Sequence, residues 1–79
     1  MSQHRLDARG LKCPLPVLKA RRALESAQPG DRLLVTASDP AARRDFPEFC
    51  DAAGHRLDSM DTATDGTITL SIVKGSKGS

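Results

Sequence analysis

The stretch LDARGLKCPLPVLKARRAL, Leu6 to Leu24, changes its hydrophobic period half-way, and that change sets the fold. Before Arg9-Gly10, Leu6 and Ala8 alternate with polar residues, the pattern of a strand with one face covered. After Pro14, the apolar residues Val17, Ala20, Leu24 and Ala27 recur at steps of three and four, which is one face of a helix. Lys19, Arg22 and Ser26 fall elsewhere on that wheel. Cys13 sits where the two periods meet. Read as the N-cap, it places Pro14 at the first helical position and Pro16 at the third, where a missing N–H sacrifices no intrahelical bond.

Further along, Pro29-Gly30 stops the helix, and RLLVTAS is an apolar run that suits a strand buried on both faces, or a central one. Asp39 reads as a cap with Pro40 at the first helical position. Pro47 argues for two helical pieces here, with Asp45 capping the main one and Glu48 at capping-box spacing. Phe49, Cys50 and Ala53 follow at helical spacing, and Gly54 is a natural C′ residue. HRLDSMDTAT is a weak strand, because Leu57 and Met60 are out of phase for period two; an edge strand with a bulge or a frayed end is expected. Asp65-Gly66 is a hairpin turn, and TITLSIV puts Ile68, Leu70 and Ile72 on one face, leaving Thr67, Thr69 and Ser71 for a wet one.

The predicted order is β-α-β-α-β-β, an α+β domain. The expected architecture is a two-layer α/β sandwich: a four-stranded mixed sheet with two helices on one face. The first β-α-β gives a parallel pair and the last two strands an antiparallel hairpin. One domain is expected over 1–79, ordered over about 4–74, with 75–79 a flexible tail.

Composition narrows the chemistry. With 79 residues, no Trp, no Tyr and two Phe, the chain has few stacking platforms for bases and little volume for a deep cofactor pocket. The polar start is no signal peptide, and no apolar run is long enough to cross a bilayer, so a cytoplasmic protein is expected. The net charge of +2 is unevenly spread: residues 1–22 carry Arg5, Arg9, Lys12, Lys19, Arg21 and Arg22 against Asp7 alone, a local +5, and the remainder is −3. The basic groups Arg9, Lys12, Lys19, Arg21 and Arg22 are therefore candidates for a docking patch, with plain solubility the alternative.

A cysteine at a helix start is favoured as a thiolate by the helix dipole, by Lys12 beside it, and by exposure. No base lies near Cys13 in sequence; His4 and His55 are distant and read as solvated bystanders. There is no C-x-x-C and no H-x-x-x-H, so neither a metal site nor a two-cysteine redox motif is expected. Cys50 reads as a small buried apolar residue on the second helix. What remains is a thiol that takes a sulfur group from another protein as a persulfide and gives it up again. Two rivals stay open: a basic nucleic-acid-binding or regulatory module, and a thiol-redox partner using Cys13 and Cys50.

The Cys-Pro-x-Pro segment resembles that of the TusA/SirA sulfur-carrier family. Here it is preceded by a strand, Asp7 and Gly10-Leu11, and followed by a basic helix; the resemblance runs on through SDPAARRDFPEFCDAAGH to about residue 74. It implies the same β-α-β-α-β-β fold, similar to the C-terminal domain of a translation initiation factor. It makes Cys13 the persulfide-bearing residue, with Pro14, Pro16, Asp7 and Gly10 as motif support. No cofactor is implied beyond the covalent persulfide sulfur. The implied partners are a cysteine desulfurase or rhodanese-type donor and a downstream acceptor protein, in tRNA 2-thiouridine modification, molybdenum-cofactor or sulfur-oxidation relays. A monomer with no membrane association and no direct nucleic-acid binding is expected.

Overall fold

The computed structural model describes residues 2–76. Its elements are β1 (Gln3–Ala8), α1 (Leu15–Ser26), β2 (Arg32–Ala37), α2 (Ala42–Ala53), β3 (Arg56–Thr62) and β4 (Ile68–Val73). The sheet order is β1-β2-β4-β3, with β1 and β2 parallel and β4 antiparallel to both of its neighbours. This is the expected mixed sheet. α1 packs on β1 and β2, α2 packs on β3 and β4, and the two helices touch, so both cover one face.

That face holds the core. β2 alternates strictly, with Leu33, Val35 and Ala37 buried, and β4 adds Ile68, Leu70 and Ile72. From the helices come Pro16, Ala20 and Leu24 of α1 and Ala42, Phe46 and Cys50 of α2. β2 is a central strand buried on one face only, since Leu34 and Thr36 on its other face are half-buried, and β3 is an edge strand whose register shifts between Leu57 and Ser59, the expected bulge. The turn into β4 is closed by Asp65 Oδ1, which accepts the Thr67 N–H at 2.9 Å, while Gly66 takes φ 92°, a value that favours glycine.

Three details differ from the sequence reading. α1 begins at Leu15 with Pro14 in the cap position and no side-chain cap, so Cys13 precedes the cap. The Leu15 N–H goes to the Lys12 carbonyl at 2.9 Å rather than to a cysteine sulfur.

The second difference is in α2, which is one helix with Pro47 inside it, not two pieces. The proline removes the bond to the Arg43 carbonyl, a cost of about 3 kcal/mol or more. Burial of Phe46, worth about 1.5–3 kcal/mol, together with Ala42 and Cys50 on the same stripe offsets it. Ala41, not Asp39, holds the cap position of α2, with no side-chain cap; Asp39 Oδ1 accepts the Ala41 N–H at 2.9 Å in the turn that leads into the helix, and Asp45 falls in the first turn of a helix that has already begun.

Third, the outer sheet face is not uniformly wet. Thr69 is exposed, but Ser71 is buried beneath Arg32, whose guanidinium meets the Ser71 hydroxyl and pairs with Asp58 at 2.8 Å.

The C-terminal strap is tied down through Gly75. The Lys74 N–H donates to the Asp31 carbonyl at 2.8 Å, its Nζ donates to the Ala27 carbonyl at 2.7 Å, and the Gly75 N–H donates to His55 Nδ1 at 3.1 Å. Of the tail expected over 75–79, residues 77–79 lie outside the described residues.

Candidate functional site around Cys13

Because β1 and β2 run parallel, the loops leaving them lie at the same end of the sheet. The first carries Cys13 and the second carries Asp39. Gly10 starts the first loop with φ 82°, and its N–H donates to Ser38 Oγ at 2.8 Å, which ties the two loops together. Asp39 then bridges them again: Oδ2 accepts the Cys13 N–H at 3.0 Å while Oδ1 accepts the Ala41 N–H. These bonds, the one from Ala41 first, hold the Asp39 carboxyl below the ordinary carboxylate range. Pro16 is buried in the core one turn beyond Cys13, and the Cys13–Pro14 peptide bond is cis. The cysteine is thus held from three sides by a glycine turn, a carboxylate and a buried proline.

The side chain itself is half-buried and packs against the edge of the core with Leu11 and Val17 nearby in the same cluster. Its electrostatics reverse the expectation from sequence. The thiol is pushed up to about 11, first by burial, then by the Asp45 carboxylate as hydrogen-bond partner and by the charges of Asp39 and Asp45. Arg44 is the one cation that works in the other direction. The helix begins too late to cap the sulfur, and two carboxylates stand where a basic surrounding was expected. Cys13 in the isolated protein is therefore a neutral thiol at pH 7.

The expected docking residues divide. Arg9 is held by Asp7 in a fork, Nε to Oδ1 and Nη2 to Oδ2, each at 2.9 Å, so Asp7 serves Arg9 rather than the sulfur. That pairing brings Asp7 down to about 2. Arg21 lies 3.8 Å from Glu25 on the same helix. Among the described residues, Lys12, Lys19 and Arg22 have no carboxylate in ion-pair range. Beside them, Leu15 and Leu18 are 47 % and 49 % exposed, at helical spacing with Lys19 and Arg22.

Other candidates lie elsewhere. Cys50 is a free thiol, 2 % exposed under α2, and burial alone pushes it up to about 11. His4 contacts the buried Asp31 at 3.1 Å near the start of β1, and His55 follows the C-terminal end of α2; neither belongs to the Cys13 loops. A groove of about 390 Å³ between the helices is lined by Arg21, Leu24, Phe49 and His55, at the opposite end from Cys13. Sequence reading missed Asp39 and Asp45 as neighbours of Cys13. The signal was available: a parallel β1–β2 pair puts the Cys-Pro and Asp-Pro loops side by side.

The fold is a small α+β domain with one partly accessible thiol at the junction of two loops. The chain matches the Sulfurtransferase TusA family over residues 4–74, and it belongs to that family. It is also similar to the crystal structure of a SirA-like protein from Desulfitobacterium hafniense, with 27% sequence identity, a TM-score of 0.79, and coverage of 91% of this chain and 97% of that one. A sulfur-carrier role in general follows from the family. No helix among the described residues is long and apolar enough to cross a membrane.

Proposed function

We propose that this protein accepts sulfane sulfur as a persulfide on Cys13 and hands it to an acceptor protein. The observation that carries the reading is the difference in access between its two thiols: Cys13 is half-buried at a loop junction and Cys50 is sealed at 2 % exposure. In loading, Cys13 gives its proton to solvent and its thiolate attacks the outer sulfur of a donor persulfide. The donor S–S bond breaks, its electron pair leaves on the donor cysteine, and a new S–S bond forms on Cys13. Sulfur moves without net oxidation. Unloading repeats the step with an acceptor thiolate attacking the outer sulfur on Cys13.

The donor is a cysteine desulfurase or a rhodanese-type protein, and the acceptor belongs to a tRNA 2-thiouridine, molybdenum-cofactor or sulfur-oxidation relay in the cytoplasm. The carrier itself acts as a monomer and binds no further cofactor. Leu15 and Leu18, flanked by the unpaired charges of Lys12, Lys19 and Arg22, suit a partner surface that is apolar with an acidic rim. Arg9 and Arg21, already paired, contribute less to that contact.

Intact-mass spectrometry after incubation with cysteine and a cysteine desulfurase tests the reading. One added sulfur, removable by reductant, is expected in the native chain and in Cys50→Ala, and none in Cys13→Ala. Loading that survives Cys13→Ala overturns it.

A further inference from the structure

The two carboxylate oxygens of Asp39 serve two different segments. Oδ1 accepts the Ala41 N–H at 2.9 Å, inside the turn that leads into α2, and Oδ2 accepts the Cys13 N–H at 3.0 Å, 26 residues away along the chain. The first bond is local and undemanding, because asparagine or serine makes it equally well. The second is not. An asparagine with its oxygen on Ala41 turns an amide donor towards the Cys13 N–H, and a serine has no second oxygen to offer. Among short polar side chains, only an ionised carboxylate gives two acceptors and no donor. The neighbouring ties of the same loop are separate from this one: the Gly10 N–H goes to Ser38 Oγ at 2.8 Å, and the Leu15 N–H goes to the Lys12 carbonyl at 2.9 Å. The anchored nitrogen and Sγ belong to the same residue, so what holds the one aims the other.

We propose that Asp39 is a positioning residue for sulfur transfer: by holding the Cys13 amide it keeps Sγ aimed at the sulfur of a docked partner. This purpose rests on the persulfide reading, whereas the bond does not. Transfer between two folded proteins needs such aim more than reaction with a small molecule does. The attacking thiolate must meet the outer sulfur of the donor as the donor S–S bond breaks. When both sulfurs are fixed to folded domains, neither turns freely to find that approach, and a misplacement of about 1 Å costs about 10²-fold. A small disulfide comes in from any open side and supplies the alignment itself. The carboxylate also opposes ionisation, since its negative charge stands close to a sulfur that must become an anion. Aim and ionisation therefore pull in opposite directions at Asp39, and removing it should separate them.

The test compares two reactions of Cys13 in full-length Asp39→Asn and Asp39→Ser, both of which keep the local bond to Ala41. One is loading by a cysteine desulfurase with cysteine, read by intact mass. The other is exchange with a dipyridyl disulfide, with Cys13→Ala as the blank. At saturating carrier, loading should fall by roughly 10- to 100-fold. The carrier concentration that half-saturates the desulfurase should change by less than about twofold, because docking is not what was removed. Exchange with the small disulfide should stay level or quicken, and hydrogen exchange at the Cys13 amide should quicken. Asp51→Asn, which removes an exposed carboxylate further along α2, should leave all of these unchanged. A parallel fall in both reactions overturns the proposal, because lost folding rather than lost aim would explain it. Loading at the native rate overturns it too. If one of the two variants does not fold, the other decides. A native chain that takes no sulfur on Cys13 would sink the persulfide reading and this purpose with it, whereas normal loading in both the native chain and the variants would sink the positioning role alone.

Discussion

Cys13 and Cys50 are both pushed up to about 11, and burial is the first cause at both, but only Cys13 has carboxylates adding to it. Cys50 lies under α2 on the stripe it shares with Ala42 and Phe46, and burial is the whole cause. Cys13 is only half-buried, and the Asp45 and Asp39 carboxylates add to what burial does. A thiol silenced by burial becomes reactive only when the helix opens. One whose titration also depends on neighbouring carboxylates responds to changes in those charges as well as to its burial.

The largest effect that distinguishes them is kinetic. In the folded protein Cys50 should react with a thiol reagent only through opening of the fold, so unfolding in urea should accelerate it by about 10³-fold or more. Cys13 should gain far less, and comparable gains at the two sites would erase the contrast. Peptide mapping of the modified cysteines reads both rates in one sample.

Next in size is stability. Cys50→Ser puts a hydroxyl among Ala42, Phe46 and the sheet with no partner provided, and should cost about 1–3 kcal/mol in urea unfolding. Cys13→Ser, at the protein rim, should stay within about 0.5 kcal/mol. Phe46→Ala sets the scale for this stripe: the fully buried ring should cost about 3–5 kcal/mol.

The smallest effect is on pH dependence, and it falls at the other end of α2. His55 is held below its ordinary range by burial and by Lys74, and its Nδ1 accepts the Gly75 N–H. Its neutral form is therefore the one the fold prefers. The unfolded chain binds this proton first, so the stability it contributes is complete above the unfolded value of 6.5 and is lost as pH falls below it. Both thiols remain protonated throughout that window. Protection of the Gly75 amide from hydrogen exchange should fall between about pH 7 and about pH 5, while the Cys13 loop keeps its bond to Asp39 until the Asp39 carboxyl itself titrates. His55→Gln should remove the dependence, and an unchanged profile in that variant would place its origin elsewhere.

The sheet was legible because period-two patterning reports burial directly. Leu33, Val35, Ile68, Leu70 and Ile72 all point inward, and the dephasing of Leu57 and Met60 became a register shift on an edge strand. The helix starts were less legible because prolines obey two rules at once. In Cys-Pro-Leu-Pro, Pro14 satisfies both the cap position and the first helical position, and the chain takes the former, leaving the sulfur uncapped. At Pro47 the local rule lost to the four-residue spacing of Ala42, Phe46 and Cys50, which buries a complete stripe only if the helix is continuous. The basic run of the first 22 residues suggested a positive surrounding for Cys13. Yet the charges that act on its thiol come from positions 39 to 45, on the loop and helix that follow β2, and a count of charges along the chain does not contain that relation.

The central claim is that sulfane sulfur resides on Cys13 and on no other atom of this chain. Peptide-resolved mass spectrometry of the protein after incubation with cysteine and a cysteine desulfurase measures this directly, with free thiols and persulfides alkylated before digestion. One extra sulfur in the peptide containing Cys13, lost on reduction, and none in the peptide containing Cys50 is the predicted result. Extra sulfur on the Cys50 peptide, or on neither while the donor is demonstrably charged, would contradict it.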